Sequence, residues 1–258
     1  MTLHLVNALA NEDTERPLVH LLGRPYVSRG TSSCAVGEGS SRLLAFLAVN
    51  RGDKERRYVW GRLWPDAEEE RGAGNLRSAI WRLNGLGPNL VHSDKHTVRL
   101  HDAVEVDVEL IGAWANRLIT GMHRPEDLTI MPWDLDQLDM LPGWYDDWVL
   151  LERERLRQRL LHAMECLSRE LLRLGRYAEA VESALVAVGS DPLRESAQRV
   201  LIEAHLAEGN RCEALRRFEE HRALVRRELG VDPSPALATL VALRRPAVSA
   251  PSPLHAAV

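Results

Sequence analysis

The chain contains little cysteine, and its three cysteines, Cys34, Cys166 and Cys212, are far apart. They form no Cys-x-x-Cys pair and their number is odd, which argues against a disulfide framework. We therefore expect reduced thiols, as in a cytosolic protein. The histidines at positions 92, 96 and 101 have no cysteine nearby, so they are better interpreted as surface side chains of a hairpin than as zinc ligands. We expect neither a metal nor a cofactor.

Long apolar runs are also missing. The N-terminus, MTLHLVNALANEDTER, has no basic region, and Asn11, Glu12 and Asp13 end its apolar run early, which is not typical of a signal peptide. No run approaches the ~18 apolar residues that cross a bilayer. The sequence predicts a soluble, cytoplasmic protein with no membrane partner.

Strong net charge and catalytic motifs are absent as well. The 258 residues carry a net charge of −4, so a nucleic-acid partner has to be argued from local charge. The sequence has no Gly-x-Ser-x-Gly, no His-Glu-x-x-His and no credible phosphate-binding loop, and GEGSS at 37–41 is better interpreted as a loop before a helix. We expect that the protein is not an enzyme.

The pattern that is present divides the chain into three zones. Residues 1–108 mix short strand-like and helix-like segments, residues 109–244 are nearly all helical, and residues 245–258 form a tail rich in Pro, Ala and Ser that we expect to be disordered. The predicted fold is mainly α: an N-terminal winged helix-turn-helix (α+β) followed by an all-α tetratricopeptide-like domain.

The first zone has the element order of a winged helix. Strand-like PLVHLLGRPYVS is followed by SRLLAFLAVN, a helix that Ser40 or Ser41 can cap, and by ERRYVWGRLWPD, a helix that Pro65 ends. A third helix is predicted from about Glu69 to Asn84. NLVHSDKHTVRLHD then alternates like a β-hairpin, which we interpret as the wing.

The third helix has two different faces. Helical spacing places Leu76, Ala79, Ile80 and Leu83 on one side, which we interpret as the core face. Arginine and asparagine side chains on the other side can bond guanine and adenine edges in a major groove. The predicted DNA contacts on this helix and on the wing are Arg71, Asn75, Arg77, Ser78, Trp81, Arg82, Lys95 and Arg99.

Local charge favours the same interpretation. Between residues 71 and 101 the chain carries five Arg or Lys and one Asp, a net +4 in a chain of net −4. Such a patch attracts a DNA duplex through counterion release. The simpler alternative is a solvated amphipathic face. Gly72 and Gly74 lower helix propensity, which predicts that the first turn of this helix frays in the absence of DNA.

The second zone contains an internal repeat. AMECLSRELLRLGRYAEA at 163–180 matches AQRVLIEAHLAEGNRCEA at 197–214, with aligned glycines at positions 175 and 209. The offset of 34 residues is the period of tetratricopeptide-like helix hairpins. By contrast, RCEALRRFEEHRALVRREL is interpreted as a solvated helix with i, i+4 ion pairs, and a polymerase or dimer contact is the alternative.

Longer segments resemble a known family. RLWPDAEEERGAGNLRSAIWRLNGLGPNLV with TVRLHDAVEVDV resembles the winged helix of the actinobacterial antibiotic regulatory proteins, the SARP family. The phrases LPGWYDDW, LRESA and RELGVDPSP are similar to their bacterial transcriptional activation domain. The segment RGTSSCAVGEGSS is less basic than the family pattern.

The resemblance implies an activator of a secondary-metabolite gene cluster. Its implied partners are direct repeats of promoter DNA, RNA polymerase and a second copy, as a homodimer or a side-by-side pair. Because the sequence has no Walker motif, the small form of the family is expected. The concave face of the second domain could hold a small-molecule effector. The alternative function is a tetratricopeptide-like interaction scaffold whose winged helix does not bind DNA.

Overall fold

The computed structural model describes residues 6, 9, 16–87, 90–129 and 135–242. The chain divides into two units, Met1–Cys166 and Leu167–Val258. The first unit has two small sheets and helices, whereas the described part of the second has helices alone. This order confirms the predicted fold class. Among the described residues, no helix is long and apolar enough to cross a membrane. The predicted tail lies outside the described residues.

Four short strands form the first sheet, in the order β3-β2-β1-β7. β1 pairs antiparallel with β2 and parallel with β7, and β2 pairs antiparallel with β3. The strands are β1 (Leu18–His20), β2 (Tyr26–Arg29), β3 (Ser32–Ala35) and β7 (Glu105–Val106). The chain turns between β1 and β2, where Gly23 has a φ of +97°.

A buried carboxylate fastens this sheet to helix α4 (Asp107–Thr120). The two oxygens of Asp107 accept the backbone N–H of Leu21 at 3.0 and 2.9 Å, and one of them also accepts that of Leu22 at 3.0 Å. Burial raises the pKa of Asp107 to about 6. The start of α4 is therefore fixed to the chain that leaves β1.

Three helices follow β3: α1 (Glu38–Val49), α2 (Arg56–Leu63) and α3 (Glu69–Gly85). The predicted cap of α1 is wrong, because the helix begins earlier and its N-cap is Gly37. Ser40 and Ser41 instead lie buried within the helix. The Ser41 hydroxyl donates to the Glu38 carbonyl at 2.8 Å. The apolar residues that follow in α1 fill the core of the winged helix.

The predicted wing is confirmed as a hairpin that pairs with a strand before α2. Its strands are β4 (Lys54–Glu55), β5 (Val91–Ser93) and β6 (Thr97–Leu100), in the order β4-β6-β5. Val98 and Leu100 are buried, as their alternation predicts. The two sheets and three helices together form a winged helix.

Helix α5 (Asp147–Arg173) is one continuous helix of 27 residues. Near its start, Trp148 meets Phe46 of α1 edge-to-face, with ring centroids 5.5 Å apart. The Arg153 guanidinium donates to the carbonyls of Met140 and Leu141 at 2.9 and 2.6 Å. These contacts lie within the first unit.

The second unit confirms the 34-residue repeat. Its helices after α5 are α6 (Tyr177–Ser190), α7 (Glu195–Glu208), α8 (Arg211–Leu229) and α9 (Pro235–Ala242). Gly175 and Gly209 have φ of +74° and +92°, the left-handed conformation that ends a helix. The following N–H groups close equivalent bonds, Arg176 to Leu171 at 2.9 Å and Asn210 to His205 at 2.8 Å.

The domain boundaries predicted from the sequence, 1–108, 109–244 and 245–258, remain predictions. The compact units meet between Cys166 and Leu167, within α5. Compactness and the change from mixed to helical composition are different criteria, and they divide this chain at different residues.

Candidate nucleic-acid interface

The interface is built around α3, whose two faces differ as the helical spacing predicts. Leu76, Ala79 and Leu83 are almost fully buried, and Ile80 is half-buried. On the opposite face the predicted contacts Arg71, Ser78, Trp81 and Arg82 are exposed, as is Arg77 on the flank, whereas Asn75 is half-buried. The Trp81 side chain is 78% exposed, which is unusual because tryptophan side chains are mostly buried in folded proteins.

The arginines of this face are not paired with carboxylates. Across the described ranges, no carboxylate forms an ion pair with Arg71, Arg77 or Arg82. The nearest ion pair on α3 joins Glu69 to Arg57 of α2, with 4.0 Å between the charged groups. The positive charge of α3 is therefore available to an anionic partner.

The first turn of α3 is hydrogen-bonded and packs closely against α2. The N–H of Gly72 donates to the Glu68 carbonyl at 2.8 Å, and Gly72 is buried. A Cβ on Gly72 would lie 2.6 Å from Cε3 of Trp60, so the absence of a side chain lets α2 approach α3. Gly72 thus has a packing role, and fraying of the first turn in the absence of DNA stays a prediction.

The side chain of Arg82 extends toward α1. Its Nη1 lies 3.0 Å from the position that a Cβ on Gly39 would take, so the glycine makes room for the guanidinium. This places the charge beside the first turn of α1 rather than straight outward from α3. That position suits a backbone phosphate better than a base edge, because base edges lie deeper in a groove.

The wing tip is held by an aspartate. Asp94 accepts the backbone N–H of Thr97 at 2.6 Å and that of His96 at 2.7 Å. These hydrogen bonds lower its pKa to about 2, the bond from Thr97 contributing most. Lys95 at the tip is exposed, where a wing contact requires it.

Arg99, the other predicted wing contact, is not a free cation. Its Nη1 donates to Asp102 at 2.6 Å, and its Nε lies 3.4 Å from Asp53. The hydrogen bond that Arg99 donates to Asp102 raises the pKa of Arg99. Arg99 therefore fastens the wing to the loop before β4, and it has less charge to offer a phosphate than Lys95.

Two clefts separate the helices from the wing, and both are lined by Arg56 and Lys95. The cleft beside α3 has a volume of about 690 Å³, and the one between α2, α3 and the wing about 600 Å³. The first is lined by Arg56, Arg77, Ile80, Trp81, Asn84, Val91, His92, Ser93, Asp94 and Lys95. Cationic and aromatic side chains thus share one concave surface, which we call the α3–wing cleft.

Sequence reasoning missed Arg56. Its Nη1 donates to the Ser93 hydroxyl at 2.5 Å, and its backbone N–H donates to the His96 carbonyl at 2.9 Å. Arg56 therefore holds the wing against the start of α2. The adjacent arginines in ERRYVW were a visible signal, but only strand pairing through β4 reveals that they reach the wing.

In the part of the chain that the structure describes, no group of three or more His, Cys, Asp or Glu is arranged to hold a metal ion. His92 and His96 line different clefts beside the wing instead.

Comparisons with known proteins agree with this architecture. The family described as "Bacterial transcriptional activator domain" matches residues 132–242. The regulatory protein AfsR of Streptomyces griseus is 37% identical over 108 residues, which is 42% of this chain and 11% of that protein. AfsR of Streptomyces coelicolor is 34% identical over 233 residues, 85% of this chain and 23% of that protein. The chain spans less than a quarter of the length of these curated relatives.

A solved structure is similar in fold. Mycobacterium tuberculosis EmbR, in complex with a low affinity phosphopeptide, matches with a TM-score of 0.70 and 18% identity, covering 90% of this chain and 66% of that chain. At this identity the similarity shows the fold alone.

A winged helix followed by a bacterial transcriptional activator domain places the chain among bacterial transcriptional regulators. Within that class, the activator-domain match and the similarity to the two AfsR proteins support the resemblance to the SARP family that the sequence motifs indicate. Both AfsR relatives are described as regulatory proteins.

Proposed function

We propose that the chain is a sequence-specific DNA-binding activator that places α3 in a major groove and the wing against the neighbouring backbone. The observation that carries this proposal is the state of the α3 arginines. Arg71, Arg77 and Arg82 are exposed and have no acidic partner in the described ranges, and Trp81 is exposed among them. Arginines in this state can bond phosphates and guanine edges without first losing a protein partner.

The contacts divide into two kinds. We assign base-edge contacts to Asn75 and Ser78, Asn75 toward adenine, and a phosphate contact to Arg77 on the flank. Arg82 beside α1 and Lys95 at the wing tip contact phosphates, which set position and affinity without specifying sequence. Arg71 extends the cationic stripe toward the start of α3. Arg99 contributes least, since Asp53 and Asp102 neutralise it.

We infer the activator role from the helical part of the chain. Residues 132–242 match an activator domain, which supports recruitment of RNA polymerase at promoters. We further propose that the chain binds direct repeats as a side-by-side pair, controls a secondary-metabolite gene cluster, and acts in the cytoplasm at the nucleoid. These proposals rest on the family resemblance.

Mapping of bound DNA across the source genome tests the proposal most directly, because it returns the operator, its repeat spacing and the regulated genes together. Fluorescence anisotropy with the recovered operator, at about 50 and 200 mM salt, should show affinity that falls steeply with salt. Absence of salt-dependent binding to every recovered fragment would favour the interaction scaffold instead.

A further inference from the structure

A third concavity in the first unit lies away from the α3–wing cleft. It has a volume of about 360 Å³ and is bounded by the end of α1, the start of α4 and the first half of α5. Ligand pockets in proteins commonly range from about 300 to 1,000 Å³. The concavity is therefore large enough for a small organic molecule, and no DNA contact proposed above involves it.

Its floor is apolar and well packed. Ala48 and Met140 are 0% and 1% exposed, and Leu156 is 8% exposed. Val49 and Val108 extend the apolar surface toward the rim. A hydrocarbon or aromatic group that covers these side chains would be removed from water, and burial of apolar area favours binding.

The rim is polar, and its carboxylates are already paired. Glu109 accepts two hydrogen bonds from Arg51, from Nε at 2.7 Å and from Nη2 at 2.5 Å. Glu152 accepts one from Arg155 at 2.5 Å. Because each carboxylate is already paired with an arginine, neither is expected to attract a cationic ligand.

Arg159 is the exception on this rim. Across the described residues it has no hydrogen-bond or ion-pair partner. Its Nη1 lies 3.1 Å from the position of a Cβ on Gly112 of α4, so this glycine leaves room for the guanidinium to lie across from α5. The rim therefore combines two neutralised pairs with one surplus positive charge.

We propose that this concavity binds a small monocarboxylate with an apolar body. The carboxylate accepts hydrogen bonds from the Arg159 guanidinium, whose planar donors match its geometry. The apolar body lies on Val49, Val108 and Leu156, above the buried Ala48 and Met140. Such a ligand would contact α1 of the winged helix and α5, which lies in the matched activator region, within a single unit. The site is independent of the proposed DNA binding.

Two simple carboxylates test the site in the full chain. Octanoate and phenylacetate are titrated into protein with ¹³C-labelled methyl groups, and octanamide serves as the neutral match for octanoate. We expect the methyl signals of Ala48, Val49, Val108, Met140 and Leu156 to shift with either carboxylate, and octanamide to bind about tenfold more weakly, as loss of a charge-assisted hydrogen bond predicts.

The variant Arg159→Gln should weaken octanoate binding about tenfold and leave octanamide binding unchanged. Arg157→Gln is the matched control, because Arg157 lies on the same helix and donates to Glu154 instead. Thermal melts show whether each variant folds. Unshifted floor methyls at millimolar octanoate and phenylacetate, equal affinity for acid and amide, or full binding by a folded Arg159→Gln variant would each overturn the proposal. DNA binding measured in parallel remains a separate result.

Discussion

Helices α3 and α8 are both amphipathic and rich in arginine, yet their arginines differ in ion pairing. On α8, Arg216 pairs with Glu213, and Nε of Arg226 lies 2.6 Å from Asp232. On α3, three exposed arginines have no acidic partner in the described ranges. Similar composition therefore produces a neutralised outer face in the second unit and an available cationic face in the first.

The spacing of glutamate explains the difference. In α8 the glutamates stand three or four residues from the arginines, where side chains on a helix meet. In α3 the two glutamates lie in the first turn, at positions 69 and 70, and the rest of the exposed face has none. These observations support the solvated interpretation of α8 and the anion-binding interpretation of α3.

The largest expected effect comes from removing the free charges of α3. The double variant R77A/R82A should lose roughly a hundredfold in operator affinity, because each such contact contributes about 1–3 kcal/mol. The matched variant R222A/R226A on α8 removes two arginines that contact Asp232, and it should bind DNA as the parent does. Anisotropy titrations compare the two. Equal losses of operator affinity in both variants would show that the unpaired arginines of α3 contribute no more to DNA binding than the paired arginines of α8.

The next effect concerns the packing that supports α3. Gly72→Ala puts a Cβ against the Trp60 ring and should lower the free energy of unfolding by about 1–3 kcal/mol, as overpacking does. Gly74→Ala is the control, since its Cβ would meet only Nη2 of Arg77, at 3.8 Å, and should stabilise by up to ~1 kcal/mol. Urea unfolding measures both. Stabilisation by both changes would contradict the packing role of Gly72 and would favour a first turn that frays.

Trp81→Ala sharpens the comparison without changing charge. Because the side chain is 78% exposed, its loss should leave the Tm nearly unchanged. Operator affinity should fall about fivefold or more if the indole packs on DNA. Unchanged affinity in a folded variant would mean that Trp81 faces solvent in the complex. Thermal melts and anisotropy on the same sample distinguish the two outcomes.

The smallest expected effect is a difference between Lys95 and Arg99, the two cations of the wing, in the salt dependence of DNA binding. Lys95→Ala should weaken binding to all sequences alike and reduce the slope of log affinity against log salt by about one. Arg99→Ala should leave that slope nearly unchanged, because Asp53 and Asp102 already neutralise the arginine. Titrations at four salt concentrations provide the slopes. A larger slope change for Arg99 would show that DNA displaces its acidic partners.

Much of the fold and part of the interface could be predicted from the sequence. The three helices, the hairpin and the buried face of α3 follow from periodicity, and they are confirmed. The N-cap predicted for α1 is wrong. Serine is a preferred N-cap residue, so both Ser40 and Ser41 fit that position by residue type, but the N-cap of the helix is Gly37. The role of Arg56 was missed because it depends on strand pairing through β4.

The sequence by itself determined the order of elements, the two faces of α3 and the 34-residue repeat, because side-chain periodicity and glycine placement are local properties of the chain. Only the tertiary structure decided the state of individual side chains. Arg99 is paired by Asp53, Arg82 lies beside Gly39, and Gly72 packs on Trp60. Each partner comes from another element, and such ion pairs and close contacts exist only once the elements have packed.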